Sequence, residues 1–433
     1  MIDIKTNKEV SSFLNNICSY IKFKDAHEEI KLELKNHIEE KFYDQLEKGL
    51  NEEEALKKAI SEMGDINVIG KQLNTAHNGG VDFGTILLSL ILVFIGVGCS
   101  LLINSSGLLR SNNINLKTIL LSIGLGIPIC VLLYKFDYRK LQHYSSKFSL
   151  GTMLFLLVGK FFSHISYGIG NYIFIGSITI NVISMGVILL IIALCGILSD
   201  KNITNKRKVI YTILLFIIPT LLITWSPNIE YLIIFTIVFL SILLNCGYKK
   251  RYVLFIVSAY TVFFCYFAFS EAYRTARLFS FVNYQNDPMG SGYIYMQLHK
   301  LIASAGLLGK GIHSTDITSL PDFHQDFIFT YITYAFGWAA SIVLIIIITA
   351  FLIKLFKLSS KIKDNFGKVL IKSLSILLGV QFLFNILMNI GLAPYMGASL
   401  PFISYGGSNI LLNFIIIGFI MGIYRRRNLT LQA

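Results

Sequence analysis

The chain has 433 residues, 54% of them hydrophobic and only 15% charged, with a formal net charge of +13 at pH 7. Soluble domains carry roughly 25% charged residues, so a soluble fold is excluded for most of the length. Nucleic-acid binding is excluded as well: residues 1–80 hold 11 Lys against 15 Asp or Glu, and the remaining bases sit in short clusters between apolar runs rather than along one polar face.

Residues 1–80 read as a small soluble helical domain. Asp25 and Glu28 have the spacing of a capping box. Ile30, Leu34, Ile38 and Phe42 then recur every fourth residue, as one face of a helix does. Gly49 offers a left-handed stop. Asn51 with Glu54 repeats the box, Gly64 ends the next helix, and Asp65 starts a short last one. No secretory h-region or transit-peptide pattern opens the chain, so the N-terminus is expected in the cytoplasm. The segment shows no catalytic constellation. It reads as a self-packed prefix or as a docking or regulatory module.

Apolar runs begin at residue 83. About 20 apolar residues cross a roughly 30 Å hydrocarbon layer. Ten candidates follow, at 84–103, 117–134, 149–165, 178–198, 208–224, 229–246, 252–270, 328–354, 368–390 and 405–424. In lipid each must satisfy its own backbone, which makes helices the default. The fold class expected is therefore an all-α polytopic membrane protein of about ten transmembrane helices. Lys and Arg concentrate on alternate loops: Lys135, Arg139, Lys140 and Lys147; Lys201, Lys206, Arg207 and Lys208; Lys249, Lys250 and Arg251; Lys354, Lys357, Lys361, Lys363, Lys368 and Lys372; Arg425, Arg426 and Arg427. This bias puts both termini in the cytoplasm. The domain boundaries expected are 1–80 for the prefix and 83–428 for the membrane domain.

One outer loop stands apart. Residues 271–327, between spans seven and eight, are long and glycine-punctuated, and long ordered loops are usually functional. Six acids fall on the outer side: Glu230, Glu271, Asp287, Asp316, Asp322 and Asp326. Asp326 stands immediately before the apolar run that becomes span eight. A carboxylate there is partly desolvated, which raises its basicity, as a general base requires. An N-cap aspartate is the structural reading of the same position, and the two are compatible. His299, His313 and His324 share the loop with Asp316, Asp322 and Asp326, but without the tight ligand spacing of a metal centre, so no metal site is expected. The six cysteines show no CxxC pair and read as small buried hydrophobes.

Four blocks make the chain recognisable. Leu320-Pro321-Asp322-Phe323-His324-Gln325-Asp326-Phe327-Ile328-Phe329 is similar to a motif of proline, acid, histidine and aspartate before Phe-Ile-Phe. Gly306-Leu307-Leu308-Gly309-Lys310-Gly311 resembles a glycine-rich turn. Tyr273-Arg274, Arg277, Phe281, Asp287-Pro288, Gly290, Gly292-Tyr293 and Gln297 match the start of a large extracellular loop. Gln381, Asn385, Gly391, Pro394, Gly397 and Leu400-Pro401-Phe402-Ile403-Ser404-Tyr405-Gly406-Gly407-Ser408 match a signature before the last span. Together these resemble the SEDS family of FtsW, RodA and SpoVE, over roughly residues 83–428.

The resemblance implies an inverting peptidoglycan glycosyltransferase. Its substrate is lipid II, an undecaprenyl-pyrophosphate-linked disaccharide-peptide, polymerised at the outer face of the bacterial cytoplasmic membrane. It implies Asp326 as the general base and a single-pass class B penicillin-binding protein as partner. Arg274, Arg277 and Lys310 lie outside and suit a leaving pyrophosphate. His324, Ser404 and Tyr405 are further substrate-contact candidates. Lys160, in the outer half of span three, is expensive at that depth unless it meets something polar, and is a ligand candidate too. No cofactor is implied with certainty; a divalent cation, Mg or Mn, on the lipid pyrophosphate is left open.

The sequence also departs from the family. The usual glutamate pair after Phe-Ile-Phe reads Tyr334 and Ala335. Asn181-Val182-Ile183-Ser184 and Ser226-Pro227-Asn228-Ile229-Glu230 replace the usual motifs at spans four and six, and Tyr172 replaces a tryptophan. A non-catalytic or regulatory scaffold and a lipid-linked precursor flippase are accordingly the alternatives.

Overall fold

The computed structural model describes residues 4, 7–77, 79–108, 115–162, 164–166, 170–175, 178–200, 205–225 and 229–429. Ser226, Pro227, Asn228 and Lys201 therefore lie outside the described residues. The chain divides into two units: residues 1–81 with 361–364 and 423–433, and residues 82–360 with 365–422.

The first unit contains α1 (Lys8–Ser19), α2 (His27–Glu47), α3 (Glu52–Ser61) and α4 (Ile66–Ala76). The four-residue steps of α2 bury Ile30, Leu34, Ile38 and Phe42. The side chain of Asn51 accepts from the Glu54 N–H, and that of Asp65 from the Asn67 N–H, so both cap their helices. Gly49 and Gly64 have φ of +86° and +102° and end α2 and α3. The expected box at Asp25 does not form. Asp25 lies in a 3-10 turn, Lys24–Ala26, and α2 starts without a side-chain cap. Its carboxylate instead meets Arg426 Nη2 at 2.5 Å, and the Arg426 side chain is 1% exposed. A guanidinium so buried requires a counter-charge, and that demand outweighs a cap. Leu429 joins the apolar core of this unit.

The second unit begins with α5 (Phe83–Ser105), α6 (Leu116–Lys135), the short α7 (Arg139–His143) and α8 (Ser145–Phe162). A three-stranded antiparallel sheet follows: β1 (His164–Ser166), β2 (Gly170–Ile175) and β3 (Ile178–Asn181), with Tyr172 paired to Asn181. The sheet departs from the sequence expectation, which assigns its two ends to spans three and four. The β-branched run Ile178-Thr179-Ile180 fits a strand, and the Asn181 side chain caps the following helix by accepting from the Ile183 and Ser184 N–H groups. Then come α9 (Val182–Ser199), α10 (Asn205–Trp225), α11 (Ile229–Asn245), α12 (Lys250–Phe269), α13 (Ala272–Phe279), α14 (Tyr293–Ser304), α15 (Ile328–Ser360), α16 (Asn365–Asn389) and α17 (Gly407–Arg425).

Among the described residues seven helices are long and apolar enough to cross a membrane: α5, α6, α9, α12, α15, α16 and α17. The apolar parts of α10 and α11 are shorter. Helix α9 is apolar all round and 89% of its span is buried, which marks it as the centre of a bundle. It packs against α8, α11 and α16, and α15 packs against α16 and α5. The chain is a multi-pass helical membrane protein.

The long loop between α12 and α15 pairs with a break in α15. Gly337 has φ +86° inside that helix, so the helix cannot use the carbonyls that precede it. The glycine-rich turn uses them instead. The N–H groups of Lys310 and Gly311 donate to the carbonyls of Tyr334 and Ala335, at 2.8 and 3.1 Å, and the N–H groups of Trp338 and Ala339 donate to the carbonyls of Gly306 and Leu307, at 3.1 and 3.3 Å. Non-helical backbone at membrane depth is tolerated only when neighbouring protein satisfies it in this way. The approach is closest at Gly337, where a Cβ would stand 2.1 Å from the Leu307 carbonyl oxygen.

Candidate active site

Asp326 ends the long loop two residues before α15. Helix N-termini need acceptors for their first N–H groups, and an aspartate at this position is a natural acceptor. The neighbouring helix takes that role. Asn389 of α16 accepts from the Thr330 N–H through Oδ1 at 3.0 Å and from the Thr330 hydroxyl at 2.7 Å. Its Nδ2 and that of Asn385 both donate to the Asp326 backbone carbonyl at 2.9 Å. The peptide of Asp326 is thereby pinned while its carboxylate stays out of the cap.

That carboxylate is partly buried and accepts one hydrogen bond, from the Tyr395 hydroxyl to Oδ2 at 2.9 Å. Burial pushes Asp326 up to about 6 from 3.8; the Tyr395 hydrogen bond pulls the other way, Asp322 adds to the rise and Arg277 opposes it. A carboxylate titrating there is ionised at neutral pH and still basic enough to accept a proton in a transition state. Asp322 holds φ +48° and Phe402 φ +66°, a region that non-glycine residues seldom adopt and that concentrates at functional sites.

The remaining candidates divide into those that gather here and those that do not. Arg277 gathers: its Nε donates to the Tyr395 carbonyl at 2.9 Å and its guanidinium lies 4.9 Å from the Tyr395 ring centroid. His324 is buried, its ring 5.5 Å from that of Tyr405. Burial pushes its imidazole down, against the pull of Asp322. Ser404 accepts from the Leu400 N–H and donates to the Gln325 carbonyl at 2.6 Å, and the Tyr405 N–H donates to the His324 carbonyl at 3.1 Å. These two residues tie the final signature to the Asp326 turn through backbone contacts. Arg274 is engaged locally, by Glu271 at 3.2 Å, Ser270 at 3.0 Å and the face of Phe267 at 4.0 Å. Lys310 is exposed on the glycine-rich turn. Lys160 Nζ donates to the Trp225 carbonyl at 3.2 Å, which supplies the polar contact its depth demands.

Two residues that sequence reasoning missed complete the site. Tyr395 stands between the recognised Pro394 and Gly397, with nothing in its type to mark it. Asn389 is one helical turn after the recognised Asn385, and that i, i+4 spacing was the available signal. Tyr334, at a glutamate position of the family pattern, donates its hydroxyl to Asp316 Oδ2 at 2.9 Å. A carboxylate thus stands beside that position on a different segment. Among the described residues no three His, Cys, Asp or Glu side chains converge as metal ligands.

Comparison with known proteins accords with this arrangement. The family model for FtsW, RodA and SpoVE, described as cell cycle protein, matches residues 81–429. The peptidoglycan glycosyltransferase MrdB of Escherichia coli K12 is 24% identical over 318 residues, 72% of this chain and 86% of the relative. A probable peptidoglycan glycosyltransferase FtsW of Borreliella burgdorferi is 32% identical over 279 residues, 62% of this chain and 76% of the relative. A solved structure described as the structural coordination of polymerization and crosslinking by a peptidoglycan synthase complex superposes with a TM-score of 0.67 at 19% identity, covering 80% of this chain and 98% of that one. The rod shape determining protein RodA of Thermus thermophilus superposes with a TM-score of 0.60 at 18% identity and the same coverage. With a match that spans all of the membrane domain, the chain belongs to the FtsW/RodA/SpoVE family.

Proposed function

We propose that this protein is a peptidoglycan glycosyltransferase that polymerises lipid II at the outer face of the cytoplasmic membrane, with Asp326 as the general base. The observation that carries the reading is the Asp326 carboxylate, pinned by its peptide, excluded from the helix cap and raised by burial to about 6. In the reaction the acceptor sugar hydroxyl attacks the anomeric carbon of the donor with inversion. The hydroxyl proton passes to Asp326 and the lipid pyrophosphate leaves. Arg277, close enough to lower the Asp326 carboxyl, is suited to offset the negative charge that develops on the leaving group. Both termini lie in the cytoplasm in this reading, which rests on the Lys and Arg bias of alternate loops. A class B penicillin-binding protein supplies the crosslinking step.

The test is polymerisation of labelled lipid II by the purified protein, alone and with a co-expressed class B penicillin-binding protein, read as glycan chains on a gel. Chain formation is expected. Translocation of lipid II across vesicle membranes without any chain formation would favour the flippase alternative, and neither activity, even with the partner, would favour a scaffold.

A further inference from the structure

Tyr395 touches both Asp326 and Arg277. Its hydroxyl donates to Asp326 Oδ2 at 2.9 Å, its carbonyl accepts from Arg277 Nε at 2.9 Å, and its ring lies 4.9 Å under the Arg277 guanidinium. Its own N–H donates to the hydroxyl of Tyr295 at 2.6 Å, and Tyr295 is 1% exposed. The ring stacks on Phe327, with centroids 5.3 Å apart. Backbone, ring and hydroxyl are therefore all fixed, and a side chain with two rotatable bonds has little freedom left.

We propose that Tyr395 is the positioning residue of this enzyme: one side chain fixes the orientation and basicity of Asp326 and anchors Arg277 beside it. The proposal rests on the reading of Asp326 as base. A phenol donates a single hydrogen bond, and here it goes to Oδ2. Among the described residues Asp326 Oδ1 has no hydrogen-bond partner, so that oxygen is left to face the acceptor hydroxyl. A hydrogen bond to the ionised carboxylate favours that form, which moderates the effect of burial.

The titratable and charged groups around Asp326 are Tyr395, Arg277, Asp322 on its own turn, Glu230 and Tyr231 of α11, and Tyr172 of β2. Asp322 opposes its ionisation, while the Asp326 charge acts in turn on the buried Glu230. Among the described residues Arg277 and the Tyr395 hydroxyl favour it, and Tyr395 contacts Arg277 as well. The Tyr395 phenol itself is driven well above the usual range, by burial first and then by the Asp326 charge, so it remains a donor throughout the working pH range.

The test is the pH profile of lipid II polymerisation by the full-length protein carrying tyrosine, phenylalanine or 3-fluorotyrosine at position 395. Tyr395→Phe keeps the ring on Phe327 and under Arg277 and removes only the donor. The acidic limb is expected to move up by about one pH unit, giving about fivefold slower turnover at pH 6 with the plateau above pH 8 retained. Fluorination strengthens the donor and is expected to move the limb down. Superimposable limbs for all three proteins, or a Tyr395→Phe loss equal at every pH, would overturn the proposal. Asp326→Asn in the same assay separates the two ideas: an inactive Asp326→Asn with superimposable limbs removes the tuning role alone, whereas full activity in Asp326→Asn removes the base on which it rests.

Discussion

Replacing Asp326 by Asn should stabilise the protein, and only above the pH at which the unfolded chain ionises this carboxyl. Asn keeps the shape and still accepts from the Tyr395 hydroxyl. In the folded protein Asp326 titrates at about 6, against 3.8 for an unperturbed aspartate. A raised carboxyl pKa means that stability is fully present below about pH 4 and is lost as pH rises through about 6, because the unfolded chain ionises more readily. At 1.36 kcal/mol per unit, the difference amounts to about 3 kcal/mol at most. The variant lacks this loss, so its advantage should be near zero at pH 4, open between pH 4 and 6, and stay at about 1–3 kcal/mol above pH 7. Reversible unfolding of both proteins in detergent across that range reads the gap directly. Parallel pH dependences, or an Asn variant less stable than the parent at pH 8, would refute the inference that Asp326 is held against its own ionisation.

Gly337→Ala should cost about 3 kcal/mol or more, since the residue has φ +86° and the new Cβ would stand 2.1 Å from the Leu307 carbonyl oxygen; the melting temperature and folded yield in detergent check it, and a wild-type melt would contradict the close pairing of the turn with α15. Asn389→Ala leaves the Thr330 N–H without its acceptor and takes one of two donors from the Asp326 carbonyl. A stability loss of about 2 kcal/mol is expected, with a fall in kcat exceeding any change in KM, because the defect displaces the base rather than the substrate.

The broad plan of the molecule was legible because membranes impose simple rules. Long apolar runs follow from hydrocarbon thickness, which makes the multi-pass helical plan a local property of the chain. Asp326 stood out for the same reason, as an acid at the edge of an apolar run. Asn51, Gly49, Gly64 and Asp65 also announced their roles, since capping and positive φ depend on a few adjacent residues. What was not legible depends on partners far away in sequence. Asp25 has the local pattern of a cap, but the buried Arg426, four hundred residues on, claims its carboxylate. Asp326 likewise has the pattern of a cap, and Asn389 removes the need for it. Tyr395 carries no signature at all; its importance comes from the partners that converge on it. The small sheet was hidden because its strands are as apolar as the helices that flank them.

Two of the sequence's departures from the resemblance meet polar or charged groups. Tyr334, where the resemblance leads one to expect a glutamate, donates its hydroxyl to Asp316. Glu230 of α11 is buried within electrostatic range of Asp326.

The decisive measurement is kcat for lipid II polymerisation by Asp326→Asn, made on the same preparation whose stability at pH 8 has been compared with the parent. A properly folded, equally or more stable variant with kcat reduced by a factor of about 10² or more, and KM little changed, is the expected result. A stable Asp326→Asn protein that polymerises lipid II at the parental rate would contradict it, and with it the assignment of this carboxylate as the proton acceptor.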